Sequence, residues 1–199
     1  MSQTGRRIGL FGGAFDPPHL AHVALARVAL EQLALDELRI IPTGNAWHKS
    51  RTLSPVSDRL AMARLAFADL PGVVIDEREL HRNGASYTID TVLALQAEQP
   101  SAQLFLIMGG DQWAAFGTWH RWQELSQKVQ LCVAARPDQA APSFAHALPA
   151  QVLRLPAMAL SATAIRQQIS DPRMGKQWAN LVPEPVARYI SDHRLYVQR

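Results

Sequence analysis

The stretch Gly12-Gly13-Ala14-Phe15-Asp16-Pro17-Pro18-His19-Leu20-Ala21-His22, GGAFDPPHLAH, follows directly on the apolar run RIGLF at 7–11. An apolar run closed by paired glycines reads as a strand that turns sharply and lets a ligand approach its backbone N–H groups. Pro17-Pro18 fits a rigid loop end and the start of a helix. His19 and His22 then fall in the first turns of that helix, at i and i+3, and share a face. That face lies at the positive end of the helix dipole, which favours an anion.

Working outward, short apolar runs recur at 8–11, 38–41, 73–75, 104–108, 131–135 and 152–155. Several lack polar alternation, as expected of parallel strands covered on both faces. Between them Val23, Ala26, Leu30 and Leu33, and again Leu60, Ala63, Phe67 and Leu70, follow helical spacing. Ser54-Pro55 suits an N-cap followed by proline at the first helical position. Strand–helix alternation predicts a doubly wound α/β fold, with ligands at the carboxyl ends of the strands. The stretch 136–151 reads as a surface excursion between two late strands. Residues 181–196 read as a last helix, started by Pro183 and Pro185, and a short tail.

The chain has 199 residues and is 48% hydrophobic, enough for one sizeable core. Twenty Lys and Arg face 17 Asp and Glu, a net charge of +3. That balance suits a small anionic ligand better than a nucleic-acid track, which needs a dense basic face. Lone Cys132 makes no internal disulfide and reads as a small buried strand residue. No apolar run reaches the ~18 residues of a membrane span. The expectation is a cytoplasmic protein, a monomer or weak homodimer, with no nucleic-acid or membrane partner.

Three readings compete for the histidine pair. A zinc site lacks further ligands at the expected spacing. Two partly buried capping histidines would be structural. Phosphate recognition by imidazole N–H donors is favoured by the order strand, glycine turn, helix.

GGAFDPPHLAH resembles the G-x-F-D-P-x-H-x-x-H signature of the nucleotidylyltransferase superfamily. LSATAIR at 160–166 resembles the same superfamily's I-S-S-T-x-I-R element. There Ser161 can cap a helix, Thr163 can donate its hydroxyl, and Arg166 lies one turn on. ERELHRNGASYTIDTV at 77–92, MGGDQWAAFGTWHRWQEL at 108–125, AARP at 134–137 and LVPEPVARYISDHRLY at 181–196 resemble segments of bacterial nicotinate-nucleotide adenylyltransferases. Ala14 and Ala162 depart from the usual hydroxyl residues, and Ala46-Trp47 stand where two prolines are frequent.

The resemblance implies a Rossmann-like doubly wound parallel sheet, the HxxH nucleotidylyltransferase fold. It implies a single domain over 1–199 with a small C-terminal helical segment. It implies adenylyl transfer from ATP to nicotinate mononucleotide, with Mg²⁺ arriving on the ATP and no metal held by the protein. His19 and His22 would act at the reacting phosphates. Gly12, Gly13, Ser161, Thr163 and Arg166 would bind the ATP phosphates. Phe15, Asp16, Lys49, Tyr87, Thr88, Gly109, Asp111, Trp119 and Arg136 would contact substrate.

Several of these have plainer readings. Ser86-Tyr87-Thr88 opens a helix with Ile89, Val92 and Leu93 as its expected buried stripe; a nicotinate carboxylate could accept from its spare N–H donors. Trp119 and Trp122, with Leu125, could form one core stripe; the resemblance turns Trp119 toward a pyridine ring and leaves Trp122 in the core. Asp111 could cap a helix. Asp16 could order its loop or touch substrate. His81, His120, His146 and His193 read as surface or structural residues. Another acceptor phosphate on the same fold, or an idle nucleotide-binding regulator, remain the alternatives.

Overall fold

A computed structural model describes residues 5–44, 53–135, 148–156 and 158–197. Lys49 and Arg136, with most of the 43–51 and 137–150 loops, lie outside the described residues.

Six strands form one parallel sheet: β1 (Arg7–Gly13), β2 (Glu37–Pro42), β3 (Val73–Ile75), β4 (Gln103–Met108), β5 (Gln130–Ala135) and β6 (Gln151–Arg154). Their spatial order is β3-β2-β1-β4-β5-β6. Each expected apolar run became a strand; the inner strands are covered on both faces, while the edge strands β3 and β6 keep Val74 and Val152 exposed. Side chains alternate between the two faces. Phe11, Leu38, Ile40, Phe105, Ile107 and Cys132 enter one core. Ile8, Leu10, Ile41, Leu104, Leu106, Met108, Leu131 and Val133 enter the other.

Helices α1 (Leu20–Gln32), α2 (Val56–Phe67), α6 (Ala162–Ser170) and α7 (Glu184–Asp192) cover the first face. Helices α3 (Thr88–Glu98), α4 (Gly110–Ala114) and α5 (Trp122–Lys128) cover the second. The C-terminal helical segment is α7, entered through Pro183 at its cap and Pro185 in its first turn. Tyr189 ties it to α2 by donating to an Asp58 carboxylate oxygen at 2.9 Å. Among the described residues no helix is long and apolar enough to cross a membrane.

Three local expectations shift. Helix α2 begins at Val56 with Pro55 at the cap, so Ser54 lies outside the helix. The buried face of α3 is Ile89, Thr91, Val92 and Leu95, while Leu93 is only partly covered. Trp119 and Trp122 do not share a helix: Trp119 closes a 3-10 turn over Phe116–Thr118, and Trp122 starts α5.

The sheet order reverses between β1 and β4, which opens a crevice at the carboxyl edge. Pairing of β1 with β4 ends at Leu10–Leu106, whereas β1 stays paired with β2 as far as Gly13–Pro42. The segment 14–19 therefore leaves the sheet beside that crevice.

Candidate active site

Gly12 and Gly13 are still strand, so the sharp turn expected there comes later. It lies at Phe15, whose φ of 47° is in the left-handed region. Gly13 answers a different constraint: a Cβ there would sit 3.0 Å from the Phe15 ring, which would have to shift by a few tenths of an ångström. That ring is buried against Phe11, Phe67 and His22, with centroids 5.6, 5.7 and 5.2 Å away. Phe15 therefore anchors the loop from inside the core.

Arg59, 1% exposed, holds three loops together. Its guanidinium donates to the carbonyls of Ala14 at 3.1 Å, Thr43 at 2.8 Å and Ser54 at 3.2 Å. Asp16, also buried, orders its loop: its carboxylate accepts from the Ser54 N–H at 3.2 Å and the Tyr196 hydroxyl at 2.7 Å. Of the two roles open for Asp16, the contacts describe the loop-ordering one.

His19 is the N-cap of α1 and His22 its third residue. Their rings stack with centroids 3.7 Å apart. The His19 N–H donates to His22 Nδ1 at 3.1 Å. An accepting Nδ1 carries no proton, so the neutral His22 ring has its N–H at Nε2. Burial pulls the His19 pKa from 6.5 down to about 4, so this ring is neutral at physiological pH. The capping and phosphate readings are thus compatible: one nitrogen of His22 caps the helix and the other is a donor.

The second signature meets the first. Ser161 caps α6, its hydroxyl accepting from the Ala164 N–H at 3.2 Å. Arg166 donates to the Asp16 carbonyl at 2.7 Å and to the Thr163 hydroxyl at 3.1 Å, across 150 residues of chain in the first case. Thr163, Arg166, Gln167, Ser170 and Tyr196 line one cleft.

The other residues gather at the start of α3. Tyr87 is its N-cap. Arg82 donates to the Tyr87 carbonyl and to the Thr91 hydroxyl, both at 3.4 Å. Thr91 donates to Glu79 at 3.0 Å, and burial raises the pKa of that carboxyl. The His120 ring lies on Tyr87 at 4.2 Å, and Arg121 reaches Asp90 at 3.9 Å, so the turn carrying Trp119 is drawn to the helix start. Trp119 is partly exposed against Phe116, at 5.4 Å. Gly109 caps α4, with open space where its Cβ would be, and Asp111 lies exposed in the first turn rather than at the cap.

Sequence reasoning missed Arg59, Tyr196 and the contact made by His120. Arg59 had a signal: it shares the helical face of Met62, Ala63, Ala66 and Phe67, where a charge is out of place. Tyr196 had none.

Comparison with known proteins bears on the chemistry. The cytidylyltransferase-like family profile matches residues 10–168. A relative from Albidiferax ferrireducens, named "Probable nicotinate-nucleotide adenylyltransferase", is 52% identical over 96% of this chain and 98% of its own length. One of the same name from Methylibium petroleiphilum is 45% identical over 96% and 92%. The nicotinic acid mononucleotide adenylyltransferase of Plasmodium falciparum, solved in complex with NaAD, shares the fold with a TM-score of 0.78 at 16% identity, over 96% of this chain and 97% of that one.

Two outcomes follow from the geometry. Arg59→Met keeps the bulk and leaves three carbonyls short of donors, so unfolding in urea should show a loss of about 3 kcal/mol. For His19, the unfolded ring gains a proton below its ordinary 6.5 while the folded ring stays neutral down to about 4. The wild type should therefore lose stability relative to His19→Gln as pH falls through that window, by about 3 kcal/mol in all. Urea midpoints of both proteins from pH 7 to pH 4 measure it.

Proposed function

The chain belongs to the cytidylyltransferase-like family and to its nicotinate-nucleotide adenylyltransferases, and on that premise we propose that it joins ATP and nicotinate mononucleotide into deamido-NAD, releasing pyrophosphate. The observation that carries the reading is the convergence of the two signatures on one loop, through the Arg166 bond to Asp16 beside the stacked histidines.

A phosphate oxygen of the mononucleotide attacks the α-phosphorus of ATP. The new P–O bond forms as the bond from the α-phosphorus to the bridging oxygen breaks, and pyrophosphate leaves with that electron pair. The attacking phosphate has its second pKa near about 6, so it arrives ionised and needs no general base. The protein's task is alignment and stabilisation of charge. His19 and His22, as neutral N–H donors, would hold the α-phosphate. Ser161, Thr163 and Arg166, with the backbone of Gly12 and Gly13, would hold the outgoing phosphates. Lys49 and Arg136 would add positive charge to the nucleotide. Asp111 and Gly109 would meet the ribose or pyridine side.

Magnesium would arrive on ATP, held by phosphate oxygens and water; His22 Nδ1 already accepts from the His19 N–H. The ion supplies neutralisation of phosphate charge when bound.

For the acceptor, the first N–H groups of α3, at Thr88 and Ile89, precede the bonds that Asp90 and Thr91 make to Tyr87. Spare donors at a helix start suit the nicotinate carboxylate and discriminate against an amide. Tyr87 and Trp119 would flank the ring, since electron-poor aromatics stack well on indole.

Pyrophosphate release from Mg-ATP, with nicotinate and nicotinamide mononucleotides side by side, tests the reading. Strong preference for the acid is expected. Equal rates would remove the carboxylate site, and no release with either would overturn the function. His19→Ala should lower kcat by about 10² or more, as for loss of a transition-state donor.

A further inference from the structure

The loop that carries His19 is held by residues from distant parts of the chain, and one of them comes after the last helix. Beyond α7 the backbone takes the left-handed region twice, at Arg194 (φ 50°) and Tyr196 (φ 65°). That conformation is costly for residues with side chains and persists where surrounding contacts hold it. Here it turns the tail back over α2 and α6, with Leu195 and Tyr196 against the core.

The Tyr196 hydroxyl donates to Asp16 Oδ1 at 2.7 Å, and the Ser54 N–H donates to Oδ2 at 3.2 Å. The carbonyl of the same Asp16 accepts from Arg166 at 2.7 Å. Tyr196 thus touches the residue that joins the two signatures. Its ring also lines the cleft shared by Thr163 and Arg166. A buried carboxylate held at both oxygens has one orientation, which fixes the peptide on which Arg166 rests.

We propose that Tyr196 is a positioning residue for adenylyl transfer: by holding the Asp16 carboxylate it sets Arg166 and the histidine loop in register on one phosphate chain. The proposal rests on the site reading above. It assigns Tyr196 no contact with the reacting atoms. Its effect runs through Asp16, three residues before His19, and through the guanidinium.

Tyr196→Phe isolates the hydroxyl, because the ring that packs on the core is retained. Steady-state kinetics are measured with ATP and the mononucleotide varied in turn, alongside thermal unfolding. The variant should melt within about 2 °C of the wild type. Its kcat/KM for ATP should fall about tenfold, as for a small misplacement of catalytic groups, with KM for the mononucleotide unchanged. In a cycle with Asp16→Asn, the double variant should be no slower than Asp16→Asn alone, because Tyr196 acts through that carboxylate. If Asp16→Asn does not fold, the Tyr196→Phe kinetics decide alone. A Tyr196→Phe enzyme with wild-type kcat and KM, or one whose loss follows a lowered Tm, overturns the proposal while the function stands. A wild-type chain that releases no pyrophosphate overturns the function, and the proposal with it.

Discussion

A parallel sheet whose strand order reverses cannot close over its own carboxyl edge. At the reversal the crossovers leave toward opposite faces, and a crevice remains between them. Here that happens between β1 and β4, where the ladder stops at Leu10–Leu106. The loop of 14–19 has to cross this gap without a neighbouring strand. It is held instead by side chains from elsewhere: the Phe15 ring in the core, Arg59 on the Ala14 carbonyl, and Arg166, Ser54 and Tyr196 on Asp16.

The histidine pair shows how one helix start does two jobs. A helix N-terminus needs acceptors for its spare N–H groups, and His22 supplies one through Nδ1. That same bond decides where the other proton sits. The tautomer that the proposed phosphate contact would use is thus set by local helix chemistry. Burial of His19 completes the arrangement by keeping the ring uncharged. An uncharged His19 at the positive end of α1 can meet a phosphate without the cost of stripping water from a cation.

The fold was legible because its signals are local. Six apolar runs gave six strands, and their order along the chain fits a doubly wound sheet. The candidate residues on strand ends and helix caps, such as Ser161 and Tyr87, were legible for the same reason. What could not be read depends on the path of the chain in three dimensions. Gly12-Gly13 looked like a turn, but glycine also answers a crowding ring, and Phe15 takes the turn. Trp119 and Trp122 fit a helical period that a 3-10 turn interrupts. Asp16 offered two roles until its partners, from residues 54 and 196, were seen beside it.

The tail contact also bears on how the molecule is made. A folding chain can pair strands that lie near one another in sequence while its two ends are still apart. The Asp16 carboxylate still lacks the hydroxyl that Tyr196 brings to it. The sheet can therefore assemble early, while the histidine loop gains this tie only once Asp16 and Tyr196, 180 residues apart, have met. Loop-closure entropy across those 180 residues is thus a cost that this tie bears and the strand pairings do not.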